Sequence, residues 1–110
     1  MKTRSAKNKG ARLQNELRDK LLESFTELEP DDIKCAIMGE SGVDIKLSPA
    51  AKRLIPFGFE CKNQEHLSIW DALKQAQENA GQLIPALVFS RNRCKTYVCL
   101  ELEEFIKIIK

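Results

Sequence analysis

Residues 56–62 read Pro-Phe-Gly-Phe-Glu-Cys-Lys. Phe57, Phe59 and Cys61 alternate with Gly58, Glu60 and Lys62, the period of a β-strand with one face turned to a core. Glu60 and Lys62 are two residues apart, so they project from the same face of that strand. Residues 43–47, Val-Asp-Ile-Lys-Leu, repeat the pattern: Val43 and Ile45 face one way, Asp44 and Lys46 the other. A hairpin of these two strands around a connecting loop at 48–55 would set Asp44 beside Glu60. Two carboxylates at close range repel unless a cation sits between them. Oxygen ligands of this kind suit magnesium or manganese.

The acid-x-Lys spacing alone carries little, because it occurs three times: Asp32-Ile33-Lys34, Asp44-Ile45-Lys46 and Glu60-Cys61-Lys62. Pro30-Asp31 followed by Asp44-x-Lys46 even spells a Pro-Asp…Asp-x-Lys pattern literally. Asp31, however, falls in a polar turn that ends a helix. Asp44 and Glu60 fall in apolar strands, where an acid needs a partner.

Working outward, Leu13, Leu17, Leu21 and Phe25 recur every four residues and predict an amphipathic helix from Ala11 to about Leu28. Ile33 to Met38 reads as a short strand and 39–42 as a turn. Residues 67–80 predict a second helix closed by Gly81, with Trp70 and Leu73 packing it on the sheet. Residues 84–90, Ile-Pro-Ala-Leu-Val-Phe-Ser, form a fully apolar strand. Arg91-Asn92-Arg93 is a hairpin turn and 95–100 its return strand. A short last helix covers 102–110, with Phe105, Ile106 and Ile109 as its apolar side. The order α-β-β-β-α-β-β-α predicts an α/β domain whose mixed central β-sheet is flanked by helices. Residues 1–9 read as a flexible basic arm and 10–110 as a single domain.

A chain of 110 residues, 43% hydrophobic and 31% charged, fits one folded domain and argues against disorder. No apolar run approaches the ~20 residues of a membrane helix. The basic start has no apolar segment behind it, so no secretory leader is expected. The four cysteines include no C-x-x-C pair and His66 is the one histidine, which disfavours a structural zinc site. Cys35, Cys61 and Cys99 lie among apolar residues, as reduced cysteines of a cytosolic protein do. The net charge of +2 hides an asymmetry: residues 1–20 carry seven basic side chains against Glu16 and Asp19, while residues 21–62 are acidic on balance. Such a chain suits a polyanion at one part and a cation at another.

Glu16 on the first helix, then Gly42-Val43-Asp44-Ile45, then Phe59-Glu60-Cys61-Lys62, then a helix carrying Gln75, together resemble the PD-(D/E)xK nuclease superfamily. The chain is most similar within it to Holliday-junction-resolvase-like endonucleases of the archaeal and phage type. The resemblance runs from about Lys9 to the last strand; the family's proline before the first acid is Val43 here. It implies a restriction-endonuclease-like core and metal-dependent hydrolysis of DNA phosphodiesters at four-way junctions or other branched DNA, leaving 5′-phosphate and 3′-hydroxyl ends. Asp44, Glu60 and the Cys61 backbone carbonyl would then ligate Mg2+, with Mn2+ as a substitute. Lys62 would orient or help deprotonate the attacking water. Glu16 would reach the metal from the first helix, Gln75 would edge the site from the second, and Ser41 would lie in the turn before Asp44. The resemblance further implies a homodimer, with the last helix or Phe57 as candidate contacts, and a phage or prophage protein acting in the host cytoplasm.

Lys2, Arg4, Lys7, Lys9 and Arg12 read as phosphate contacts, and Arg91, Arg93 and Lys95 crowd a hairpin tip that could grip DNA backbone. No helix is patterned for major-groove reading and no aromatic platform for stacking, so recognition by shape is expected. Plainer readings stand beside these. Glu60 and Lys62 could be a solvated edge-strand pair, Asp44 the polar face of a half-buried strand, and Glu16 and Gln75 ordinary helix-surface residues. A nuclease of the same fold for nicked or linear duplex, a catalytically inactive DNA-binding module, and a protein-interaction domain are the alternative functions.

Overall fold

Four-residue spacing places Leu13, Leu17 and Leu21 on one side of a helix, and that side is covered. In a computed structural model of the chain, which describes residues 4–37 and 39–110 and the side chains from Asn8 onward, this helix is α1 (Arg4–Ser24). Residues 4–9, read above as a flexible arm, are its first turns. At their end, the Asn63 side-chain amide donates to the Lys9 carbonyl (3.0 Å) and the Lys9 ammonium lies 3.4 Å from Glu65. The helix also ends sooner than its periodicity suggests. Phe25 to Leu28 leave it as a turn closed by the Leu28 N–H on the Phe25 carbonyl, with Leu28 buried. Lys2 and the side chains of Arg4 and Lys7 lie outside the described residues.

A 3-10 turn at Pro30–Asp32 leads into β1 (Ile33–Cys35), which is shorter than the strand expected; the expected end at Met38 lies outside the described residues. It pairs antiparallel with β2 (Ile45–Leu47), Ile33 opposite Leu47 and Cys35 opposite Ile45. Ile33 and Ile45 are completely buried. Arg18 reaches across from α1, donating from Nε to the Ile33 carbonyl (2.7 Å) and from Nη2 to that of Pro30 (3.3 Å). Residues 48–55, expected as a loop, contain a short helix α2 (Pro49–Leu54). Its start follows the usual chemistry: the Ser48 hydroxyl accepts from the Ala51 N–H (3.1 Å), and a proline opens the first turn. The same hydroxyl donates to Asp32 (2.6 Å), tying the start of α2 to the start of β1.

β3 (Phe57–Asn63) pairs in parallel with β4 (Ile84–Ser90), from Phe57 opposite Ile84 to Asn63 opposite Ser90. Parallel neighbours need a crossover, supplied by α3 (Ile69–Ala80), which starts two residues later than expected and closes at Gly81 with φ +61°. β5 (Tyr97–Cys99) returns antiparallel on β4, and α4 (Leu102–Ile109) ends the chain. The fold is α/β with mixed strand pairing. The described strands form two sheets, β1-β2 and β3-β4-β5, where one central sheet was expected. β2 is the partner of β1, not the second arm of a hairpin with β3. No helix among the described residues is long and apolar enough to cross a membrane.

The larger sheet is covered on both faces, and the pleat sorts its residues. Phe59, Cys61, Ala86 and Val88 share a cluster with Leu13 of α1. Gly58 and Glu60, one residue out of phase, face α3. α3 meets that face with Ala72, Ala76 and Ala80, while Trp70, expected to pack there, is 81% exposed. Small side chains let helix and strand approach closely: a Cβ on Gly58 would lie 2.9 Å from Ala80 Cα and Cβ and 3.2 Å from Val43 Cγ1. Gly58→Ala should therefore push α3 outward and cost about 1–3 kcal/mol, read as a lower urea midpoint with little change in slope. An unchanged midpoint would mean that the seam is not tight.

Candidate active site

Asp44 stands immediately before β2, where the small sheet meets the open edge of β3. Its main chain is committed on both sides: its N–H donates to the Phe59 carbonyl (2.9 Å) and its carbonyl accepts from Ala36 (2.8 Å). Its carboxylate then acts as a substitute for backbone, with Oδ2 accepting the Cys61 N–H at 2.7 Å. The N–H and C=O of one strand residue point the same way, so the Cys61 carbonyl shares this edge with Asp44. Glu60, 3% exposed, lies between an amide donor and a cation. Asn79 Nδ2 of α3 is 3.3 Å from its Oε1, and Lys62 Nζ is 3.6 Å from its Oε2. Asp44 reaches this stretch of β3 as a cap on its edge, and not through the β2–β3 hairpin expected, and its charge is felt at Glu60.

The electrostatics follow from this geometry. Burial, the larger effect, holds the Asp44 carboxyl above its ordinary range; the Cys61 N–H and Lys62 pull the other way. Burial likewise raises Glu60, the Asp44 charge adds to it, and Asn79 and Lys62 oppose it. Burial together with the same two acids pushes the Cys61 thiol up, so this cysteine is a core residue and not a nucleophile. Two covered carboxylates facing one lysine carry more negative charge than the site neutralises.

Other expected members fall elsewhere. Glu16 leaves α1 on the flank toward β4 and β5, in a cleft of about 240 Å3 with Arg12, Asn63, Arg91 and Arg93. Asp44 is at the opposite edge of β3, and Glu60 faces α3 on the far side of the sheet from α1. No group of three or more Asp, Glu, His or Cys side chains that could hold a metal occurs among the described residues. Gln75 is exposed on α3, one turn before Asn79. Asn79 is the helix residue that touches the acid, and sequence reasoning missed it; its place four residues along the same stripe was the available signal. Ser41 is exposed in the turn between Gly39 and Gly42, both at positive φ. In that turn Glu40 accepts the Ile37 N–H and pairs with Lys46.

Of the expected phosphate contacts, Lys9 is occupied by Glu65, whereas Arg12, Arg91 and Arg93 converge on the Glu16 cleft. The 91–94 turn that presents them is closed by the Cys94 N–H on the Arg91 carbonyl, with Arg93 at φ +64°. A cleft of about 800 Å3 lies past the end of β3 around His66, Arg91, Lys95 and Tyr97, and neither Asp44 nor Glu60 lines it.

By its chemistry, an all-oxygen set of this kind would suit a hard divalent cation that keeps part of its water shell. Mg2+ is commonly held by one or two carboxylates with substrate oxygens completing its shell, and Asp44, Glu60 and the Cys61 carbonyl offer that number. Comparison with family models, with curated proteins and with solved structures finds no match for this chain.

Folded Asp44 and Glu60 keep their protons to higher pH than the ordinary 3.8 and 4.5 that apply when unfolded. Across that window the folded state binds more protons, so these two groups make stability fall as pH rises through it. Asp32, held below its ordinary value first by the Ser48 hydroxyl and then by the Glu29 N–H, acts with the opposite sign. The difference between wild type and an Asp44→Asn, Glu60→Gln variant isolates the pair. In metal-free buffer the variant should be the more stable at neutral pH, and its advantage should vanish in acid. Urea titrations across pH 3–8 check this; a wild type that gains on the variant with rising pH would contradict it.

Proposed function

We propose that this chain is a metal-dependent DNA endonuclease resembling the PD-(D/E)xK enzymes, with branched or four-way-junction DNA as its preferred substrate. The observation that carries the reading is the Asp44 carboxylate on the Cys61 N–H at 2.7 Å, which sets a second acid beside the buried Glu60 and its Lys62. Such a pair is costly to bury without a cation, and a cation beside a lysine is the equipment of phosphodiester hydrolysis. Asp44, Glu60 and the Cys61 carbonyl would hold Mg2+ or Mn2+. The metal, when bound, would acidify the attacking water and offset charge on the phosphoryl oxygens.

The chain's own groups divide the remaining work. Lys62 Nζ, 3.6 Å from Glu60 Oε2, would hold a scissile-phosphate oxygen or orient the water. Asn79 fixes the Glu60 carboxylate by donating to Oε1, as outer partners of metal ligands do. Arg12, Arg91 and Arg93 give a backbone grip without base reading. A homodimer would offer two such sites to the two strands of a symmetric junction, in the cytoplasm of a host cell if the protein comes from a phage. A DNA-binding module without the chemistry is the second reading, favoured by Glu16 standing away from the acid pair.

The test is cleavage in Mg2+ of a labelled four-way junction and of a linear duplex with matching arms. Paired cuts near the branch with the linear duplex spared are expected. Equal cutting would broaden the substrate, and no cutting in Mg2+ or Mn2+ would leave the binding module. Glu60→Gln should lower cleavage by ~10²-fold or more while DNA retention persists, and Lys62→Met by ~10²–10⁴-fold; wild-type rates in either would overturn the assignment. For the arginine cleft, Arg12→Ala, Arg91→Ala, Arg93→Ala should flatten the slope of log affinity against log salt by roughly 0.9 for each phosphate no longer neutralised. An unchanged slope would remove the cleft from the DNA path.

A further inference from the structure

The cleft past the end of β3 has no part in holding the acid pair. Its volume, about 800 Å3, falls within the roughly 300–1,000 Å3 of sites that enclose a small ligand. It opens where the parallel strands β3 and β4 both end, at Asn63 and Ser90. Open α/β sheets take their ligands at that end of their strands.

Strand register furnishes the cleft with rings. Lys62, Phe89 and Tyr97 are partners across β3, β4 and β5. Their side chains therefore share one face of the sheet, the face that carries Glu60. The Phe89 and Tyr97 rings lie with centroids 6.1 Å apart, and Tyr97 is 57% exposed. In the sequence the two rings are separated by the 91–94 turn and show no stacking platform; the antiparallel return of β5 builds one.

Cations stand beside the rings. Arg91, whose Nε donates to the Cys94 sulfur (3.3 Å), and Lys95 line the same cleft. The acid in the lining, Glu65, is already engaged. It accepts the Asn92 N–H (2.6 Å) and lies 3.4 Å from the Lys9 ammonium. Arg91 also lines the cleft of Arg12 and Arg93, so the basic surface runs from one cleft into the other. An open ring flanked by cations is the equipment for a base and its phosphate.

We propose that this cleft binds one unpaired nucleotide of a DNA strand, with its base stacked on Tyr97 and its phosphate held by Arg91 and Lys95. A base inside a duplex must leave the stack before it can enter a pocket, so the cleft favours strands that are already open, as at a branch. Tyr97 stands two strand spacings, about 10 Å, from Lys62 along the shared row, and one strand can lie across both. The choice of DNA rests on the nuclease reading; the chemistry of base and phosphate does not.

Binding in EDTA tests the proposal, because neither metal nor cleavage is then involved. The probes are a short labelled oligothymidylate and a strand of equal length and charge that lacks the bases. Wild type should hold the oligothymidylate at least ~5-fold more tightly, the lower end of what one stacked base contributes. Tyr97→Val keeps a strand-forming side chain and should bring the two affinities together by weakening only the first. Tyr97→Phe should keep the preference. Lys95→Ala should weaken both strands alike and flatten the salt dependence. Undiminished binding of the base-free strand shows that Tyr97→Val is folded. Equal affinities in wild type, a preference that survives Tyr97→Val, or a wild-type salt slope in Lys95→Ala would each overturn the proposal. Displacement of the oligothymidylate by micromolar free dTMP would give the cleft to a mononucleotide and overturn it as a strand site. A chain that cuts no DNA can pass this test and a nuclease can fail it, so either reading can fall alone.

Discussion

The contact on which the rest of the site depends is a carboxylate standing in for a peptide group. Asp44 Oδ2 takes the Cys61 N–H at the open edge of β3, next to the bond from the Asp44 N–H to the Phe59 carbonyl. An edge N–H in a covered strand must find an acceptor. Here a charged acceptor satisfies it, and the charge then has nowhere to go. The same contact joins the two sheets, fixes where the β1-β2 hairpin meets β3, and sets an acid beside Glu60. Structure and strain on charge are therefore one feature, and a cation would relieve the second without disturbing the first.

Around that contact the molecule separates its tasks by sheet face. The α1 face is apolar packing, with Leu13, Phe59, Cys61 and Val88 in one cluster. The α3 face is an alanine seam with Glu60 and Asn79 set into it. At the far end of β3, Arg12, Arg91 and Arg93 gather in a cleft on the opposite flank from Asp44. The acid pair and the arginine cluster are thus kept apart, so on the proposed reading the arginines would not compete with a metal for Asp44 and Glu60.

Much of this is legible in the chain. The alternation at 56–62 specifies the strand, its buried face and the side-by-side Glu60 and Lys62; the parallel β3-β4 pair is consistent with the apolar run at 84–90. What is not legible has physical causes. Ser48-Pro49 is a helix start, but a six-residue helix is too short for periodicity to show, so 48–55 reads as a loop. The first helix begins earlier than its apolar stripe because its opening turns are polar and leave no apolar period to read, and the bonds that tie Lys9 to Asn63 and Glu65 are tertiary. Motif order puts Glu16 at the metal, and order does not specify rotation about a helix axis. Size alone puts Trp70 in the core, where the seam admits only small side chains.

That seam limits how the sequence can drift. Gly58, Ala72, Ala76 and Ala80 look inert, and none of them carries a charge or a hydrogen-bonding side chain. Yet any of them made larger must lift α3, and α3 carries Asn79 away from Glu60 as it goes. The acid would lose its amide donor and be left more open to water at the same moment. Substitutions at featureless positions would therefore surface as altered proton affinity at a carboxylate, and selection on the chemistry would be felt as selection on volume.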